Sequence, residues 1–149
     1  MKIQHVLVPT DLSPESMRPL QEAAELVRQG GGRLTLLCVV PDLLVAPHGA
    51  PLAPPIGDPS IGVRVDNARV ELERIAGDLS DLEVEVAAIP SPDVAQTIVD
   101  EAAARSADLI AISTHGHTGW RRLALGSVAE QVVRRSSVPV LSFQRVEEK

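Results

Sequence analysis

Residues 113–127, STHGHTGWRRLALGS, place Gly116, Gly119 and Gly126 in one loop and end it on Ser127. Glycines let a backbone turn its amides toward a phosphate with no Cβ in the way. A helix opening at Ser127 would add unpaired N–H groups and the positive end of its dipole. With the Ser127 hydroxyl and a ring donor from His115, the segment forms an anion cradle. A plainer pattern fits the same residues: Ser127 and Glu130 are spaced as a capping box, and glycines permit a turn without any ligand. Spacing alone leaves both open.

The rest of the chain offers little for covalent or metal chemistry. It has no G-x-S-x-G, Walker A, SGG-x-DS or G-x-G-x-x-G segment, and its only lysines are Lys2 and Lys149. Phosphoryl transfer would lack its usual lysine, and Asp11 has no paired acid of the response-regulator kind. At most a slow ATP hydrolysis is compatible with this inventory, with no residue assigned as catalyst. His115 and His117 have no cysteines or carboxylates nearby, so no metal site is expected. His5, inside the first apolar run, and His48, in a proline-rich stretch, read as structural or solvated. Cys38 is the single cysteine, and within LTLLCVV it reads as a buried, inert thiol.

The formal charge of −6 argues against non-specific nucleic-acid binding. Four arginines (Arg121, Arg122, Arg134, Arg135) face one acid, Glu130, between Ser113 and Arg135. Such a patch suits a small anionic ligand, or two solvated helix faces. With no apolar run long enough to span a bilayer and no signal-like start, a cytoplasmic location is expected.

These groups need a scaffold, and 149 residues suit a single domain covering residues 1–149. Residues 3–8, 33–40, 82–89, 108–113 and 138–143 read as strands. Helices are expected from the Ser13-Pro14 start to about 29, over 60–79, from Ser91-Pro92 to about 105, and from Ser127. Pro19 lacks the amide for an i−4 bond, so the first helix becomes regular only from about there. Val63, Val70, Leu72, Ile75 and Ala76 are expected on the buried side of the second helix. Residues 41–59 hold six of the twelve prolines, too many for helix or sheet, and form either a lid or a connector. Strands alternating with helices imply a doubly wound parallel sheet with helices on both faces and a site beyond the carboxyl ends of the strands. The apolar run 138–143, VPVLSF, reads as an edge strand through which a homodimer would pair.

HVLVPTDLSPES, LTLLCVV and LIAISTHGHTGWRRLALGSVAEQVVRRSSVPVLSF together resemble the universal stress protein family over nearly the whole chain. The resemblance implies a five-stranded Rossmann-like sheet of order 3-2-1-4-5, of the adenine nucleotide alpha hydrolase kind. The ATP-binding branch of that family carries G-x2-G-x9-G-[ST]. Gly116 and Gly126-Ser127 match this pattern, and Ser113 stands in place of the first glycine. By resemblance, Pro9, Thr10 and Asp11 line the adenosine side and Val39 offers its backbone to the adenine. Ile112 and Ser113 contact the nucleoside, while His115, Gly116, Gly126, Ser127 and Val128 surround the phosphates. The implied function is binding of ATP, ADP or AMP, with Mg²⁺ for a triphosphate, as a stress- or energy-responsive module. The alternative is a family member that binds no nucleotide and acts as a dimeric interaction protein. Asp11 has an alternative of its own, as an acid favouring the start of the first helix.

Overall fold

The computed structural model describes residues 1–46, 48–50, 52–114 and 127–144. Five strands, β1 (His5–Pro9), β2 (Arg33–Pro41), β3 (Glu83–Ser91), β4 (Leu109–Ser113) and β5 (Val140–Phe143), alternate with four helices, α1 (Pro19–Gly30), α2 (Ile61–Gly77), α3 (Val94–Ala104) and α4 (Val128–Arg135). The sheet is parallel, in the order β3-β2-β1-β4-β5. The chain winds outward from β1 through β2 to β3, then crosses back to β4 and β5. The winding therefore reverses between β1 and β4.

Alternating side chains split the core into two layers. Leu7, Leu37, Val39, Ile110 and Ile112 pack with α3 and α4 through Val94, Ile98, Ala102, Val128 and Val132. Val6, Val8, Leu34, Leu36, Cys38 and Ala111 pack on the opposite face with Ala23 and Val27 of α1 and Ala68 and Leu72 of α2. Aliphatic side chains fill both layers, as expected of a chain whose aromatics are 1% of its residues.

The first helix starts where proline chemistry places it. Residues 14–18 form turns, and α1 opens on Pro19. It ends at Gly31, whose φ of 66° is left-handed and whose N–H caps Val27 O, a conformation that strains any residue with a Cβ.

Three expectations need correction. Val63 and Val70, expected to be buried, are 63% and 66% exposed. The stripe that α2 buries runs Ile61, Val65, Ala68 and Leu72, and Val63 and Val70 each lie two residues, about 200°, away from a member of it. Ser91-Pro92 does not open α3, because β3 stays paired with β2 as far as Ser91. The N-cap is instead Asp93, whose carboxylate accepts the Gln96 N–H at 3.1 Å. Finally, the proline-rich segment is not wholly without pairing, since Val45 and Ile56 exchange N–H···O bonds of 2.9 and 3.0 Å. Arg64 pins its base, reaching Pro41 O at 3.2 Å and Asp58 at 2.8 Å.

Candidate functional site

The reversal point is shaped by unequal strand lengths. β1 is last paired at Pro9↔Leu37, and the Thr10 N–H adds one more bond to Leu37 O at 2.9 Å. β2 continues past this point, paired with β3 through Pro41↔Ser91. In a parallel ladder a residue aims its N–H and C=O toward the same neighbour, alternating along the strand. Leu37 faces β1, so Val39 does too. Val39 lies beyond the last residue of β1 and, among the described residues, receives no backbone hydrogen bond from that side. One donor and one acceptor thus stand side by side at the carboxyl edge.

Residues 10–16 wrap this edge. The Thr10 hydroxyl accepts the Leu12 N–H at 2.9 Å and lies 2.7 Å from Ser16 Oγ, which donates to Ser13 O at 2.9 Å. Leu12 has φ 68°, a strained conformation for a residue with a branched side chain, of the kind that collects at functional sites. Asp11 Oδ1 accepts from the N–H and the hydroxyl of Ser13. Asp11 Oδ2 is buried and has no hydrogen-bond partner among the described residues. Asp11 lies eight residues before α1, so it organises this turn and does not serve the start of the helix. Ser13, expected to open the first helix, instead belongs to this turn, since α1 begins only at Pro19. Ser16 carried no expectation, although the spacing D-x-S-x-x-S after a strand holds the signal.

On the other side of the reversal point, β4 pairs with β1 at Val6↔Leu109 and Leu7↔Ile110. Extending that register brings Ile112 level with Pro9. Ile112 is 0% and Ser113 7% exposed, so Pro9, Thr10, Ile112 and Ser113 lie together at the carboxyl ends of two adjacent strands. Ser127 is exposed and caps α4, its Oγ accepting the Glu130 N–H at 3.2 Å. Accepting through a lone pair leaves that hydroxyl hydrogen to donate elsewhere. Val128, the first residue of α4, packs in the core at 4% exposure. His115, Gly116 and Gly126 lie outside the described residues, as do Gly119, Arg121 and Arg122.

The remaining basic residues are accounted for by ion pairs. Arg134 meets Glu130 at 2.7 Å and Arg135 meets Asp93 at 3.0 Å, in the last turn of α4, at the opposite end of the helix from Ser127. Hydrogen bonding from the Gln96 N–H, with Arg135 beside it, holds the Asp93 carboxyl below its ordinary pKa. Burial pushes the Cys38 thiol up to about 12, so it is inert as a nucleophile. Among the described residues no group of three or more His, Cys, Asp or Glu could hold a metal, and no helix is long and apolar enough to cross a membrane.

Comparison with known proteins identifies relatives. The model of the universal stress protein family matches residues 2–143. Universal stress protein MJ0577 of Methanocaldococcus jannaschii is 32% identical over 82 residues, which is 55% of this chain and 47% of that protein. The chain thus spans about half the length of this curated relative. A solved structure of MJ0577 superposes with a TM-score of 0.75 at 22% identity, covering 99% of this chain and 100% of that one. A universal stress protein solved in complex with cAMP gives 0.68 at 20% identity, with 97% and 98% coverage. Another from Archaeoglobus fulgidus, solved in complex with dAMP, gives 0.65 at 21% identity, with 95% and 98% coverage. At these identities the structural likeness carries the fold.

Proposed function

Because the chain belongs to the universal stress protein family, we propose that it binds an adenine nucleotide at the carboxyl edge where β1 and β4 diverge, and that occupancy is its signal. The observation that carries this is Val39, whose N–H and C=O point past the end of β1. An adenine edge offers a ring nitrogen that accepts and an amino group that donates, and the two groups of Val39 complement that pair. Val39 is 1% exposed, so the base displaces neighbouring loop atoms to reach it, and the bonds then form in a dry cleft where they are strongest. Asp11 Oδ2 awaits a donor, which a ribose hydroxyl supplies.

Pro9 and Thr10 flank the adenosine, and Ile112 and Ser113 back the nucleoside. His115, Gly116, Gly126, Ser127 and Val128 surround the phosphates, with Mg²⁺ accompanying a triphosphate. Two fold relatives were solved with cAMP and with dAMP, which supports an adenine nucleotide as the ligand class. We assign the protein to the cytoplasm, as a binding module of stress or energy responses.

The test uses the full chain purified from cells. Mass spectrometry of the denatured protein is expected to release an adenine nucleotide. Added ATP with Mg²⁺ at a hundredfold excess over Kd should stabilise the fold by about 2.7 kcal/mol, raising Tm by roughly 5–11 °C at this size. No released nucleotide together with an unmoved Tm would leave the other reading, a dimeric interaction protein without nucleotide.

The dimer is a separate proposal, supported by the contrast between the two sheet edges. β3 carries Glu83, Glu85 and Pro90, the charges and proline that keep strands apart. β5 reads VLSF, with Leu141 40% exposed and no charge to deter a second copy. Leu141→Lys is therefore expected to convert a sedimenting dimer to monomer. A wild-type chain that sediments as a monomer at micromolar concentration would contradict this pairing.

A further inference from the structure

The amino edge of the sheet, opposite the nucleotide edge, holds two buried polar side chains that the proposed function does not use. His5 is 4% and Thr35 0% exposed, beneath the end of α3. His5 Nδ1 lies 3.2 Å from the carbonyl oxygen of Arg105, and Nε2 lies 2.8 Å from Thr35 Oγ1. A carbonyl only accepts, so Nδ1 carries the proton of the neutral ring. Nε2 then accepts from the Thr35 hydroxyl, and every polar atom of the pair is satisfied.

We propose that His5 is an acid-sensitive latch: neutral, it ties β1 to β2 and to the turn after α3, and a second proton breaks the tie. Protonation turns Nε2 into a donor facing Thr35 Oγ1. The Thr35 hydroxyl hydrogen then loses the one acceptor it has among the described residues, inside a core that excludes water.

The surrounding charges do not rescue the imidazolium. Arg33 of β2 repels it, and the Arg105 guanidinium after α3 is taken up by Glu101 at 2.8 Å and Glu85 of β3 at 3.1 Å. Glu85 and Asp108 attract it, but Glu85 is held by Arg105, and Asp108 Oδ2 already accepts the Gln4 and His5 N–H groups at 2.9 Å each. Burial first, and Arg33 second, hold the His5 pKa below its ordinary value of 6.5. The unfolded chain therefore takes up this proton at a higher pH than the folded one. The stability that His5 contributes is complete above pH 6.5 and is lost as pH falls toward the folded value.

Histidine ring NMR on the full chain should show His5 titrating below 6.5. Urea midpoints should fall between about pH 7 and pH 5, by tenfold in the folding constant for each pH unit separating the unfolded and folded titrations. His5→Gln keeps one donor and one acceptor but cannot titrate, so its fall over that range should be the smaller. Should that variant fail to fold, amide exchange in the wild-type chain serves, with protection at Val6 and Leu34 declining faster on acidification than at Ile112. His5 titrating at 6.5 or above would overturn the latch. So would equal acid sensitivity of wild type and His5→Gln, or uniform loss of amide protection.

Discussion

Gly32→Ala is expected to cost about 3 kcal/mol, at the upper end of what a clash in a packed site costs, and to lower Tm by roughly 6–12 °C. A Cβ at Gly32 would lie 1.9 Å from Gln4 O, 2.5 Å from Gln4 C and 2.6 Å from its Cα. Gln4 cannot retreat. Its carbonyl accepts the Arg33 N–H at 2.7 Å and its own N–H donates to Asp108 at 2.9 Å, so any shift drags the start of β1 away from β2 and β4. The neighbouring Gly31 provides the internal control. Its φ is +66°, but nothing lies within 4 Å of its would-be Cβ, so Gly31→Ala carries only the left-handed penalty of about 1 kcal/mol. Urea denaturation of the two variants should rank them in that order. A Gly31→Ala variant as unstable as Gly32→Ala would refute the steric account.

Periodicity and punctuation made the scaffold legible. Four strands are short apolar runs and β3 alternates valines with Glu83 and Glu85, and the missing amide of Pro19 anticipated where α1 becomes regular. What escaped depends on partners distant in sequence. Val63 and Val70 have the residue type of a core but the wrong angular offset from Leu72, and only the placement of α2 on the sheet decides which stripe is buried. Asp93 displaced Ser91 as a cap because β2 extended the pairing of β3. The bonds of His5 reach 30 and 100 residues along the chain, beyond any local pattern.

The candidate site divides in the same way. The resemblance named Val39 and Asp11, while what makes them available is geometric: β1 stops four residues short of β2, and one carboxylate oxygen is spent on Ser13 while the other is not. Gly116, Gly119 and Gly126, the glycines of the proposed phosphate loop, fall outside the described residues. Their case rests on G-x9-G-S spacing and on Ser127 standing where α4 begins.

Asp11→Asn should separate the role of this carboxylate in the turn from its proposed contact with the ligand. The amide oxygen can still accept the Ser13 N–H and hydroxyl that Oδ1 accepts now, so the turn survives and the unliganded Tm stays close to wild type. At the position of Oδ2, buried and without a partner among the described residues, the amide presents a donor where the proposed ribose hydroxyl requires an acceptor. A hydrogen bond to a charged group contributes about 1.5–3 kcal/mol, so adenine nucleotide affinity should fall by roughly ten- to a hundredfold. Asp11→Ala removes both oxygens. It should lose the same affinity and also destabilise the free protein, because the N–H and hydroxyl of Ser13 forfeit their acceptor. Calorimetric titration with ATP and Mg²⁺, beside melting of the unliganded variants, measures both effects. Wild-type affinity in Asp11→Asn would remove Asp11 from the ligand contacts while leaving its role in the turn intact.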